Sequence, residues 1–248
     1  MRFGRGSDVG FVERYASTLE EVAVCCAAAK RDVKEVRVVA VSKTVGMEAV
    51  ANAIEANAHD FGENRPDSLV EKASHFPEEN WHFIGNIQSR RIPDIVRYAT
   101  LVHSLYQRHH VAKFDAAAAA LDKVQDVLLE VNVSGEASKS GLAPADVASM
   151  LAFCEDFSHV RVRGLMTMAP QGDTKVARRC FEDLARLQRE LKTTLTPDRA
   201  AVFNELSMGM SEDWREAIAA GATIVRIGRA LFDDTFEKDP YPGEDTTR

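Results

Sequence analysis

The sequence predicts a single (β/α)8 barrel preceded by one extra helix. Two patterns predict it: eight short apolar runs that each end near a polar or glycine residue, and a helical periodicity after each run. The length of 248 residues agrees, since such barrels usually take about 250. An open, doubly wound sheet is the rival. It would ordinarily carry a glycine-rich phosphate loop after its first strand, but that position reads Ser42-Lys43-Thr44-Val45-Gly46, with no GxGxxG.

The elements follow in order. Val12, Tyr15, Leu19, Val22 and Cys26 recur at helical spacing and predict a front helix with those residues on its buried face. Residues 36–43 form a nearly continuous β-branched run, the mark of a parallel strand buried on both faces. Further strands are predicted at 59–62, 81–85, 101–104, 127–133, 160–166, 202–207 and 223–228. Between them, Asp115, five alanines and Leu121 favour a helix by propensity. Pro144 suits the first turn of a helix reaching about Phe157. Val176, Cys180, Leu184, Leu187 and Leu191 give the clearest apolar stripe. No linker or repeat divides the chain, so residues 1–248 read as one domain, with an ordered core over about 10–233 and a loose tail over 235–248.

Composition narrows the function classes. A hydrophobic fraction of 45% can build a large core. The net charge of −7 argues against a general nucleic-acid binder, which needs a basic surface. No apolar run approaches the ~20 residues that cross a bilayer, and Met1-Arg2-Phe3-Gly4-Arg5-Gly6 lacks the apolar segment of a secretory signal. The four cysteines have no CxxC spacing and read as reduced, mostly buried thiols of a cytoplasmic protein. Neighbours in sequence such as His109 and His110 point to different sides of a helix, so no metal site is expected.

Barrel sites lie at the C-terminal ends of the strands. Lys43 ends the most apolar strand; a desolvated amine there would lose its proton more readily and could attack a carbonyl, unless the side chain merely snorkels to solvent. Ser207-Met208-Gly209-Met210-Ser211 and Ile227-Gly228-Arg229-Ala230 follow strands seven and eight, where barrels often hold phosphate. Gly209 and Gly228 would let amides approach an anion closely, and Ser211 could alternatively cap the next helix. One lysine with one phosphate cradle suggests pyridoxal phosphate, or a phosphorylated aldehyde or sugar bound as a Schiff base. Arg226 can point into the mouth. Facing a pyridine nitrogen it would leave that nitrogen unprotonated; alternatively it pairs with a carboxylate such as Glu205. Glu63 is the one strand-end acid nominated, either as a base or to orient Asn64.

Seven motifs occur in order: Val41-Ser42-Lys43-Thr44, Phe61-Gly62-Glu63-Asn64, Trp81-His82-Phe83-Ile84-Gly85 with Ile87-Gln88, Ser138-Lys139-Ser140-Gly141, Arg163-Gly164-Leu165-Met166, Leu206-Ser207-Met208-Gly209-Met210-Ser211, and Val225-Arg226-Ile227-Gly228. Together, over about residues 10–233, they resemble the pyridoxal phosphate homeostasis protein family. The resemblance implies a barrel like the N-terminal domain of alanine racemase, with pyridoxal 5′-phosphate held as a Schiff base on Lys43. It further implies that Ser207 and the amides of Gly228 and Arg229 hold the phosphate, that Arg226 lies near the ring nitrogen or the phosphate, and that Asn64 lies beside the ring. Members are small cytoplasmic proteins thought to bind, buffer and deliver the cofactor. Two departures stand out: Thr44-Val45-Gly46 where the family usually continues toward a proline, and Ser89-Arg90 where it usually has Asn-Lys after the glutamine.

Three readings compete on the same residues. A racemase needs an acid/base on each face of the cofactor. Lys43 could serve one face; Tyr106 is the nearest tyrosine to a strand end; and the chain ends about 20 residues after strand eight, without room for the second domain that supplies the other base in similar racemases. A Schiff-base aldolase or isomerase would need a carboxylate close by. A carrier needs neither, and is the reading preferred. Its expected partners are pyridoxal phosphate, other B6 vitamers and apo forms of enzymes that use the cofactor, with no nucleic acid or membrane, as a monomer or weak dimer. Arg90-Arg91 and Arg178-Arg179 are compatible with a second cofactor site, but such basic pairs are more often solvated helix faces.

Overall fold

The computed structural model of the protein describes residues 8–136 and 139–236. Residues 237–248 of the tail expected at 235–248, the first six residues and Ser138 of the fourth motif lie outside the described residues. Helix α1 (Asp8–Ala28) leads into β1 (Arg37–Val41), and the alternation continues through α2 (Met47–Glu55), β2 (Asp60–Glu63), α3 (Pro66–His75), β3 (Asn80–Phe83), α4 (Ile92–Tyr98), β4 (Leu101–Leu105), α5 (Arg108–Ala119), β5 (Gln125–Glu130), α6 (Val147–Cys154), β6 (Val160–Met166), α7 (Thr174–Lys192), α8 (Pro197–Val202), β7 (Glu205–Ser207), α9 (Trp214–Ala220), β8 (Ile224–Ile227) and α10 (Arg229–Phe232). All eight strands are parallel and close in sequence order, with β8 pairing back onto β1. The (β/α)8 barrel with an extra front helix is therefore present as the sequence predicts.

Strand alternation divides the core in two. Val39, Val41, Leu101, Leu128, Met166 and Ile224 pack together inside the barrel, with Ile84 against them. Their neighbours Ala40, Val102, Leu129, Leu165, Val225 and Ile227 face the helices in a larger outer core. Among the described residues no helix is long and apolar enough to cross a membrane.

Several boundaries and faces differ from expectation. On α1 the buried stripe is Phe11, Tyr15, Val22 and Cys26, whereas Val12 and Leu19 are exposed at 44% and 41%; helical spacing alone does not say which of two overlapping stripes meets the barrel. Val176 on α7 is likewise exposed, and Ala177, Phe181 and Ala185 are buried instead. Strand β5 stops at Glu130 rather than 133; Val131 still donates to the Met166 carbonyl but forms only an isolated bridge, to Leu142. The run at 202–207 shortens to β7, since Pro197 starts α8 and holds Val202 in it. All four cysteines are free thiols, three of them buried and Cys25 half-buried.

The β5–β6 register slips between Val127 and Leu128, whose partners are Val162 and Gly164, so Arg163 is the extra residue of a bulge. The bulge needs glycine after it: Gly164 has φ +155, and a Cβ there would lie 1.9 Å from the Glu205 carbonyl oxygen. We expect Gly164→Ala to lower unfolding free energy by at least about 2 kcal/mol, through backbone strain and the clash with β7. Urea denaturation checks it, and a loss below half that figure would contradict the account.

Candidate functional site

Arg37, Val39 and Val41 alternate on one face of β1. Val39 and Val41 belong to the barrel interior, and the same period carries the next odd position, Lys43, to the C-terminal rim. Lys43 opens a turn just past the strand and is exposed. Its side chain makes no hydrogen bond or ion pair among the described residues. The desolvated setting expected of it is thus corrected: burial ends at Ser42, where the strand gives way to the open mouth. The peptide just before Lys43 is held rigidly. Lys72 Nζ donates to the Ser42 carbonyl at 2.7 Å and to Glu63 Oε1 at 2.6 Å, and Ser42 Oγ donates to the same Glu63 oxygen at 2.6 Å. Glu63 therefore serves a fully buried ion pair on the outer side of the strands, away from the interior face that carries Gly62 and Asn64.

The pairing of Ala40 with Ile227 brings the end of β1 beside Gly228. A Cβ on Gly228 would touch Val41 at 3.3 Å, so the loop after β8 and the turn bearing Lys43 share one stretch of rim. The amides of Gly228 and Ala230 both donate to Ser211 Oγ, at a long 3.3 Å each. Ser211 is not the cap of α9; Asp213 holds that position and accepts from the Met210 amide at 2.6 Å. Gly209 serves packing rather than anion approach: at φ +90, a Cβ there would lie 2.6 Å from Ala217 Cβ. Asn64 is exposed at the rim, packed so closely against Gly85 that a Cβ on Gly85 would overlap its backbone. Arg229 is exposed, pairs with Glu212 and lies over the Phe236 ring. A cleft of about 360 Å³ adjoins this corner, between the loops after β6 and β7, with Asp173, Ser211, Asp213 and Arg215 among its walls.

Ser207 and Arg226 lie deeper. Arg226 is 4% exposed and sits on the interior face, paired with Val39 across β1 and β8. Its Nη1 donates to Ser207 Oγ at 2.5 Å and its Nη2 to the Thr167 carbonyl at 3.0 Å. Burial lowers the guanidinium to about 10, opposed by the negative charges of Asp213 and Glu130, so it stays charged at neutral pH. The suggested partner Glu205 is not beside it; that carboxylate starts β7 at the other end of the barrel, where it accepts from Thr223 Oγ1 and faces Arg37. Ser207 Oγ, fully buried, also contacts His103 Nδ1 at 2.8 Å.

Sequence reasoning missed Glu130. It ends β5 two residues after the interior Leu128, 4% exposed, with its carboxyl pushed up to about 7 by burial against the opposing pull of Arg226. An acid closing an apolar strand was the available signal, obscured by running that strand on to 133. Tyr106 is half-buried, with its hydroxyl accepting from Gln107. Arg91 is spent on Asp67 and Asp94, and Arg178 on Glu182.

The chain matches the family of the alanine racemase N-terminal domain over residues 19–235. It is 37% identical over 223 residues to the pyridoxal phosphate homeostasis protein of Pseudomonas aeruginosa, covering 89% of this chain and 94% of that one. It is 33% identical to the Aquifex aeolicus protein of the same name, with coverage of 89% and 96%. Among solved structures, PipY of Synechococcus elongatus with pyridoxal phosphate bound superposes with a TM-score of 0.76 at 29% identity, over 90% of this chain and 99% of that one. Alanine racemase of Clostridium difficile shares the fold at 13% identity and a TM-score of 0.64, over 92% of this chain and 57% of the racemase.

Glu130 generates a pH prediction. Its folded value lies above its ordinary 4.5, so the fold binds its proton more tightly than the unfolded chain does. That contribution to stability is complete below about 4.5 and is lost as pH rises through about 7. The urea midpoint should fall between about pH 5 and about pH 8 by more in the native sequence than in Glu130→Gln. Equal falls in the two proteins would refute the assignment.

Proposed function

The chain belongs to the pyridoxal phosphate homeostasis proteins, built on the alanine racemase N-terminal barrel, and on that basis we propose that it binds pyridoxal 5′-phosphate covalently on Lys43 and acts as an intracellular carrier of it. The donor set fits such a ligand. Lys43 is a primary amine uncommitted to any partner among the described residues. Beside it on the rim, the Gly228 and Ala230 amides meet only a distant hydroxyl, and an anion would satisfy them better than Ser211 does. When bound, the cofactor would supply an aldehyde for the amine and a phosphate for the amides.

The residues would divide the work as follows. Lys43 would hold the cofactor, its reach fixed by the Lys72–Glu63 clamp on Ser42. Gly228 and Arg229 would present amides to the phosphate, with Ser211 displaced toward it. Arg226 would keep a positive charge beneath the mouth, with Ser207 as its ligand within the barrel. Asn64 would line the rim beside Lys43, just past the end of the neighbouring strand β2. The carrier role is supported by the relatives' name and by the buried cation, which disfavours protonation of a ring nitrogen facing it and so weakens the cofactor as an electron sink. The buried free thiols support a cytoplasmic location. Apo enzymes that use the cofactor would be its recipients, and other B6 vitamers its secondary ligands, with the chain a monomer or weak dimer.

The observation that carries the reading is the placing of an unpaired lysine and two weakly satisfied amides on one stretch of rim. Purified protein given pyridoxal phosphate should turn yellow, and borohydride should fix one pyridoxyl group on Lys43, found by peptide mass spectrometry. Lys43→Ala should lose the adduct. A colourless native protein, or an adduct elsewhere, would refute the reading. As a carrier it should exchange the α-hydrogen of alanine no faster than free cofactor does; exchange at an enzyme's rate would favour the racemase reading instead.

A further inference from the structure

Most (β/α)8 interiors are filled with apolar side chains in layers. This one carries a continuous polar file. Asp60, the first residue of β2, contacts His82 Nε2 at 3.0 Å. His82 Nδ1 contacts His103 Nε2 at 2.9 Å, and His103 Nδ1 contacts Ser207 Oγ at 2.8 Å. Ser207 accepts from Arg226, which donates onward to the carbonyl of Thr167, just past the end of β6. The file thus begins at the N-terminal rim and ends at the mouth.

We propose that Asp60, His82 and His103 are positioning residues for Arg226, joined in one proton-ordered relay through the length of the barrel. The order follows from the partners. The Asp60 carboxylate can only accept, so His82 carries its proton on Nε2 and offers a bare Nδ1. His103 must then donate from Nε2, which leaves its own Nδ1 bare. Ser207 donates its hydroxyl proton to that nitrogen and turns its lone pairs to Arg226. Each imidazole has one donor and one acceptor in use, and reversing either tautomer sets a lone pair against a lone pair.

Both rings are buried, at 1% and 0% exposure, and burial holds both below the usual histidine range. Burial outweighs the charged groups that face His82 and is reinforced by those that face His103. Asp60 and Glu205 favour a proton on His82 while Arg37 opposes it, and Arg226 and Arg37 oppose one on His103. A neutral chain transmits orientation rather than charge: it dictates which way the Ser207 hydroxyl points, and so where the guanidinium can sit. Asp60 itself is half-buried beside a cleft at the N-terminal rim, with Arg37 3.6 Å away. What Arg226 then does to a ligand rests on the cofactor reading above; the relay itself does not.

Two measurements test it. Histidine 15N–1H correlation spectra of the ligand-free protein should show His82 and His103 as neutral Nε2–H tautomers from about pH 6 to about pH 8. An Nδ1–H tautomer, or a charged ring, at either residue would overturn the proposal without reference to any ligand. The second measurement uses Asp60→Leu, which removes the acceptor at the end of the barrel away from the mouth. Its dissociation constant for pyridoxal phosphate should rise about tenfold, as when an outer partner of a bound group is lost, and the pH midpoint of the bound chromophore should move, while the borohydride adduct still forms on Lys43. Asp60→Glu should restore both. A folded Asp60→Leu protein with unchanged affinity and unchanged midpoint would also overturn it. If the native protein binds no pyridoxal phosphate, the carrier reading fails, and the tautomer spectra still decide the relay.

Discussion

A guanidinium left only 4% exposed inside a closed sheet is largely cut off from solvent, and at neutral pH it keeps its proton. Arg226 therefore dictates much of what surrounds it. It needs acceptors, and finds them in Ser207 and in the Thr167 carbonyl; it needs negative charge within reach, and has Glu130 and Asp213. A buried charge stranded without acceptors or opposing charge is costly, by several kcal/mol. Arg226 is not stranded in this way, and the relay proposed above extends its surroundings through Ser207 to the two histidines.

The two ends of the barrel are consequently unlike. At the N-terminal rim, opposite charges neutralise one another: Arg37 lies between Asp60 and Glu205, and Asp126 takes both Arg161 and Arg163. At the C-terminal rim Arg229 pairs with Glu212, but other donors stay open. Lys43 is exposed and the amides after β8 are only loosely used. An end whose donors are satisfied contributes stability, and an end whose donors are idle is suited to a ligand. The Lys72–Glu63 pair joins the two roles: it is fully buried, as structural pairs are, yet it grips the residue before Lys43.

The fold was legible because its signals are local. Eight short apolar runs with helical spacers allow few architectures, and six of the seven motifs sit in order at the strand ends where a barrel keeps its chemistry. Lys43, Gly228, Arg226 and Ser207 were all reached in this way. What local signals misjudge is depth. Lys43 reads as desolvated because its strand is apolar, yet the strand stops two residues earlier. Ser207 reads as a rim residue because glycine follows it, yet it is wholly buried and turned to His103 and Arg226. Val12 and Leu19 have the right spacing for a core face and lie on the exposed side of α1.

By itself, then, the sequence determined the class of fold, the order of its strands and the residues at their ends, since period and composition are properties of short segments. Only the closed structure decided which ends are deep and which are open, and which side chains meet. Asp60, His82, His103, Ser207 and Arg226 come from five different strands, separated by up to 104 positions between bonded neighbours. No periodicity relates them; they are brought into one file because a parallel sheet, bent until its last strand pairs with its first, turns one face of every strand toward a common axis.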